Sequence, residues 1–233
     1  MTILCIETST SVCSAAICKD GEPFKQCICR EGSNHARLLP RYIEELLSFA
    51  REHDLSIEAV VLSEGPGSYT GLRIGTSTAK GLCYGLNIPL IPVPTLEILC
   101  EAAKQQSTNC IQPSAVLIPM IDARRMEVYT TVMKNGKRPN GEKARAVVVE
   151  NEASLYDGDE EVYYFGDGAE KCSKIFTKPN WHYIPEIVPE AQFMALTVGS
   201  PSVDRRENQQ LAYYEPFYLK EFIAAQSHVK GLV

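Results

Sequence analysis

The sequence predicts an α/β protein of two lobes with related topology, and three observations carry that prediction. The first is an internal repeat. "TILCIETSTSVCSAAICKDGEP" and "AVLIPMIDARRMEVYTTVMKNGKRP" align at a shift of 115 residues, which pairs Ile6 with Ile121, Glu7 with Asp122, Lys19 with Lys134 and Gly21 with Gly136. The second lies downstream of each repeat. "VVLSEGPG" and "VYYFGDGAEKCSKIF" both run from an apolar strand into Gly-x-Gly, at Gly65 and Gly67 and at Gly166 and Gly168, and then into a helix-like segment. The third is a pair of strongly patterned helices between these marks. A repeat fixes architecture before any local reading does. The expected lobes are residues 1–108 and 109–233, divided near the polar stretch "KQQSTNCIQPSA", with a cleft faced by both acid-bearing turns.

The elements follow in order. An apolar strand ends in the turn Glu7-Thr8-Ser9-Thr10, and a second strand ends in the tight turn Asp20-Gly21. "HARLLPRYIEELLSFAREH" is a helix with Leu38, Leu39, Tyr42, Ile43, Leu46, Leu47, Phe49 and Ala50 on one side. That stripe covers about half the circumference, wider than a minimal core-facing stripe. It is either sandwiched within its own lobe or shared with a partner. Pro40 falls in the first turns, where proline is tolerated.

"VVLSEGPGSYTGLRIG" admits two readings. A glycine-rich turn before a helix N-terminus can cradle a phosphate. Gly65, Gly67 and Gly71 miss the dinucleotide spacing, however, and no G-K-S or G-K-T occurs. Ser68 and Thr70 read as helix caps. Arg73, in the first turn, opposes the helix dipole, so it is expected to have a dedicated carboxylate or phosphate partner. Gly71, Gly75 and Ala79 recur every fourth residue, as do Gly81 and Gly85. Glycine inside a helix costs about 1 kcal/mol relative to alanine. The pattern therefore predicts close approach by another element of this lobe or of a second subunit.

Composition narrows the function classes. The chain is 45% apolar and 22% charged, as in ordinary globular proteins, and its net charge of -6 lacks the basic footprint of a protein that grips nucleic acid alone. The basic run "KNGKRPNGEKAR" reads as a solvated turn. Nine cysteines are too few and odd in number for a disulfide scaffold, and Cys27 and Cys29 form a C-x-C with nothing to complete a metal site. With no signal segment visible and no apolar run long enough to cross a bilayer, a reducing cytoplasm is expected.

"ILCIETST", "NHARLLPRYIEELL", "GPGSYTGLRIGTSTAKGLCYGLNIPLIPVPTLE", "IDARRMEVY" and "FGDGAEK" together resemble the TsaB (YeaZ) family of bacterial threonylcarbamoyladenosine-biosynthesis proteins. The resemblance covers both lobes. It implies the two-lobed actin-like fold of sugar kinases and heat-shock ATPases, with duplicated ribonuclease-H-like lobes. It also implies a non-catalytic role beside the transferase TsaD and the ATPase TsaE, which act on ANN-decoding tRNAs. Pairing in the family uses helices of the N-terminal lobe, and homodimers use the same surface. Carried over, that surface comprises Leu38, Leu39, Tyr42, Ile43 and Leu46 of one helix, with Gly71, Leu72, Ile74, Gly75, Thr78 and Leu82 of the next.

The residues agree with a partner that does no chemistry. The catalytic paralogue's His-x-x-x-His pair is missing, since His35, His53, His182 and His228 are never four apart. A weak nucleotide-binding set remains: Glu7, Thr8, Ser9, Gly65, Gly67, Ser68, Asp122, Gly166 and Gly168. Asp122 is followed by Ala123, Arg124 and Arg125 rather than by glycine, which leaves little room for a phosphate cradle. Arg124 and Arg125 reach tRNA, a partner, or the acids Glu7 and Glu64 across the cleft, or else end a surface strand. No cofactor or metal is required on this reading; ATP at a partner interface remains open, and tRNA is contacted only indirectly. The alternatives are a glycoprotease-like metallopeptidase and a small-molecule kinase or ATPase of the actin-like fold. The tail after "EPFYLKEF" is expected to be flexible.

Overall fold

The computed structural model describes residues 1–32, 34–107, 111–135, 143–198 and 211–220. The first sheet is built from β1 (Thr2–Glu7), β2 (Cys13–Lys19), β3 (Glu22–Cys29), β4 (Ala59–Gly65) and β5 (Leu90–Pro94), in the order β3-β2-β1-β4-β5. β1 pairs antiparallel with β2 and parallel with β4. The turn expected at Asp20-Gly21 closes β2 onto β3, with both residues left-handed at φ 52° and 91°.

The second sheet uses β6 (Val116–Asp122), β7 (Glu127–Thr130), β8 (Met133–Lys134), β9 (Arg145–Val148), β10 (Val162–Phe165) and β11 (Trp181–Ile184). Its order is β11-β10-β6-β7-β9, with β8 against β6. Substituting β6 for β1, β7 for β2, β9 for β3, β10 for β4 and β11 for β5 reproduces the first sheet with the same parallel and antiparallel pairs. The repeat seen in the sequence is a duplicated topology, and Glu7 and Asp122 end equivalent central strands. The Gly136 half of the second turn, and most of the basic run, lie outside the described residues.

The lobes differ in their helices. In the first, α1 (His35–Glu52) joins β3 to β4 and α2 (Tyr69–Leu86) joins β4 to β5. In the second, the equivalent connections hold short 3-10 turns, Glu152–Ser154 and Glu170–Cys172. The helix expected after Gly168 is therefore a single turn. "AEKCSKIF" buries Cys172 and packs Phe176 edge-on against Tyr164 and Trp181, but it carries no long apolar stripe.

Side chains alternate between the two faces of the first sheet, and both faces are buried. Leu4, Ile6, Ala15, Ile17, Val60 and Leu62 meet α1 and α2, while Ile3, Cys5, Ala16, Cys18, Val61 and Val93 point the other way. That second face belongs to a core shared with the second sheet through Leu117, Ile121 and Phe165. Between the sheets lie α3 (Thr95–Gln106) and α4 (Met194–Thr197), which bury Leu96, Leu99, Ala103 and Met194. A polar clasp reinforces the junction: Glu190, fully buried, accepts from Arg30 at 2.6 Å and from Gln26 at 2.9 Å.

Residues 211–220 also return to the first lobe, while the tail after "EPFYLKEF", expected to be flexible, lies outside the described residues. Leu211 and Tyr214 join the core under α1 and α2, and Lys80 Nζ donates to the carbonyls of Ala212 (2.8 Å) and Tyr214 (3.3 Å). The Phe217 amide donates to Glu64 O at 2.7 Å, Tyr218 packs on Tyr69, and Lys220 pairs with Glu127 of β7.

Candidate functional site

Both Gly-x-Gly turns do the same thing: they let a loop lie directly on the backbone beside the central acid. A Cβ at Gly67 would lie 2.2 Å from Ser9 O, at Gly71 2.0 Å from Thr8 O, and at Gly75 2.3 Å from Thr8 Oγ1. In the second lobe a Cβ at Gly166 would lie 2.1 Å from Met120 O, and one at Gly168 2.9 Å from the Ile121 carbonyl carbon. The Ser68 amide donates to Ser9 O at 2.6 Å, and Thr8 Oγ1 donates to Gly71 O at 2.9 Å. Groups that would cradle a phosphate are taken by the chain itself.

Glu7, Thr8 and Ser9 are consequently 0% exposed, and their assignment as direct nucleotide ligands is corrected. Ser68 does cap α2, accepting from the Gly71 amide at 3.3 Å, whereas Thr70 makes no cap bond and faces solvent. Asp122 stays exposed but is held by Lys171 and by the Arg124 amide at 3.1 Å, while its own amide donates to Asp167 at 2.9 Å. Arg124 and Arg125 lie on an exposed turn with φ of 71° and 50°, and they do not bond Glu7. Arg73 lies over the Tyr69 ring at 4.7 Å and forms no ion pair with a carboxylate among the described residues. The expected carboxylate partner is thus not found among the described residues, and the ring of Tyr69 takes the guanidinium instead.

Glu7 is the unusual acid of the molecule. One carboxylate oxygen accepts from the Ser9 amide and hydroxyl, each at 2.5 Å, while Oε2 is buried with no hydrogen-bond partner among the described residues. Burial pushes its pKa from 4.5 up to about 7, against the Ser9 hydrogen bonds, which pull it down. The folded pKa exceeds the unfolded value, so this contribution to stability is complete below about 4.5 and is lost as pH rises through about 7. The melting temperature is expected to fall between pH 5 and 8 relative to Glu7→Gln. The ceiling on that difference is roughly 3 kcal/mol, and parallel thermal melts of the two proteins check it.

The helices were expected to dock a partner, and here the structure divides the expected set. Leu39, Ile43 and Leu46 of α1 and Gly71, Leu72 and Gly75 of α2 are buried in their own lobe, so their assignment to an interface is corrected. The wide apolar stripe and the inner glycines are satisfied within the chain. Leu38, Tyr42, Ile74, Thr78 and Leu82 remain partly exposed. Beside them lie Gly81 and Gly85, where an added Cβ would meet nothing within 4 Å, and Tyr84, which is 86% exposed. Those glycines have no internal reason to be glycine.

Comparison with known proteins matches residues 31–187 to the family model described as TsaD, tRNA N6-adenosine threonylcarbamoyltransferase. The chain belongs to that family. Several of the curated relatives it matches are named TsaB, and another, 31% identical over 51% of this chain, is a tRNA N6-adenosine threonylcarbamoyltransferase from Pyrobaculum islandicum. The chain is 33% identical to the tRNA threonylcarbamoyladenosine biosynthesis protein TsaB of Haemophilus influenzae over 55% of this chain and 52% of that one. For TsaB of Bacillus subtilis the figures are 34%, 58% and 57%, and for that of Escherichia coli 31%, 64% and 62%. The chain thus spans between about half and three fifths of the length of the curated relatives it matches. YeaZ from Pseudomonas aeruginosa shares the fold, with a TM-score of 0.73 at 23% identity over 94% of this chain and 99% of that one. The TsaB-like fold expected from the sequence is the fold observed.

Proposed function

We propose that this chain is the non-catalytic partner of a TsaD-type transferase in threonylcarbamoylation of ANN-decoding tRNAs, acting with a TsaE-type ATPase in the cytoplasm. The observation that carries the reading is the outer seam of α2. Gly81 and Gly85 are exposed, with nothing of this chain within 4 Å of an added Cβ. Each costs about 1 kcal/mol relative to alanine in an exposed helix, and a partner helix approaching that seam closely is the compensation. Ile74, Thr78 and Leu82 flank the seam, and Leu38 and Tyr42 extend it onto α1. A second copy of the chain uses the same seam when the transferase is absent. tRNA contact is left to the partners, and any nucleotide belongs at their interface. The naming of the curated relatives as biosynthesis proteins for this modification supports the pathway. The absence of a His-x-x-x-His pair and the filled turn at Glu7 support a non-catalytic role over a metallopeptidase or a kinase.

The test combines reconstitution with a seam variant. Threonylcarbamoylation of a cognate tRNA by the TsaD and TsaE proteins of the same genome is expected to require this chain. Gly81→Trp should fold normally, because the site is open, yet fail both to co-elute with the transferase and to support modification. Full modification without the chain, or an undiminished complex with Gly81→Trp, would refute the proposal.

A further inference from the structure

We propose that Cys29 is a modification site for small disulfides such as glutathione disulfide, and that Cys13, directly opposite it in the sheet, resolves the adduct into an internal disulfide. Cys13 on β2 and Cys29 on β3 are register partners in an antiparallel pair. Opposed Cα atoms in such a pair lie about 4.5 or 5.5 Å apart. Disulfides span Cα separations of about 4.4–6.8 Å, so both spacings fall within the range a disulfide spans.

Access and position select the pair. Eight cysteines fall among the described residues; seven are buried, and Cys29 alone is not. It is the last residue of β3, an edge strand with a neighbour on one side only, and its thiol donates to Glu31 O at 3.0 Å. Burial pushes the Cys13 thiol up to about 12, with Cys29 the next contributor. Cys29 is therefore the residue that meets an external disulfide, and resolution by Cys13 is the slow step. Cys5 and Cys18 also adjoin each other, but both are wholly buried on the opposite face of the sheet.

The chemistry balances. The Cys29 thiolate attacks one sulfur of glutathione disulfide, the S–S bond breaks, and one glutathione thiolate leaves. Cys29 then turns away from Glu31. Cys13 attacks the Cys29 sulfur, and its proton passes to the departing glutathione thiolate, releasing the second glutathione as a thiol. Two protein thiols are oxidised and one glutathione disulfide is reduced to two thiols. Burial pushes the Tyr42 hydroxyl up, and Cys29, Cys13 and Cys27 push it in the same direction.

Treating the folded chain with glutathione disulfide, quenching in acid and mapping peptides without reduction tests the idea. Wild type is expected to yield a Cys13–Cys29 link with no retained glutathione. Cys13→Ala is expected to hold glutathione on Cys29, and Cys29→Ser to take up none. A lasting adduct on Cys29 of wild type with Cys13 still free would overturn the proposal, as would a first disulfide that joins any other pair, Cys110 included. Should Cys13→Ala not fold, the wild-type map alone decides.

Discussion

Gly71→Ala is expected to destabilise the folded chain by about 3 kcal/mol. Gly81→Ala, ten residues along the same helix, is expected to stabilise it by up to about 1 kcal/mol. The contrast follows from what each new methyl would meet. At position 71 it would lie 2.0 Å from the Thr8 carbonyl oxygen, a backbone atom fixed by β1 and by the buried Glu7–Ser9 turn. Neither element can yield without dragging the central strand. At position 81 nothing lies within 4 Å, so the substitution only removes backbone freedom from the unfolded chain. Denaturant titrations of both variants at one pH suffice. Equal effects would mean that the loop before α2 does not rest on the β1–β2 turn.

Leu39→Asp is expected to abolish folding altogether. Leu39 is 0% exposed and sits with Ile43, Leu46, Leu4 and Ile6 in the core between α1 and the first sheet. Removing a buried leucine costs about 2–5 kcal/mol, and an unpaired buried carboxylate adds several more. Together these approach the roughly 5–15 kcal/mol of a typical domain. Leu38→Asp, one residue earlier and partly exposed, should change stability by less than about 1 kcal/mol. Circular dichroism and elution volume separate the two. If Leu39→Asp stays folded and merely loses its partner, α1 packs with a different face inward.

The two-lobed plan was legible because duplication writes itself twice. The strands at Ile6 and Ile121, their terminal acids and both Gly-x-Gly turns recur at matching places, and each occupies the equivalent position in its sheet. The inward face of α1 was less legible. Leu38 and Leu39 look alike in a helical wheel, and only the position of the sheet decides which of them is core. The spacing of Gly71 and Gly75 matched that of Gly81 and Gly85, yet the first pair meets Thr8 and the second meets solvent. Spacing reports that something comes close, not what. Arg73 was read from the helix dipole, which cannot anticipate that Tyr69, four residues before it, offers a ring. The clasp at Glu190 and the return of residues 211–220 rest on pairings more than 100 residues apart, such as Arg30 with Glu190 and Lys80 with Tyr214. No local pattern announces these. The aromatic residues Tyr214, Phe217 and Tyr218 were the one available sign that residues 211–220 have a surface to cover.

That return has a bearing on how the polypeptide matures on the ribosome. Leu211 and Tyr214 complete the hydrophobic layer beneath α1 and α2, and Lys80 is tied to carbonyls of the same segment. A nascent chain that has just released its first hundred residues therefore carries an N-terminal sheet with one flank still bare. Such a flank persists until residues 211–214 have been made. Long-range closure of this kind slows folding and lengthens exposure to aggregation. The first lobe is accordingly a poor candidate for production on its own, and a premature stop before residue 211 leaves the layer beneath α1 and α2 incomplete, far along the chain from the stop itself.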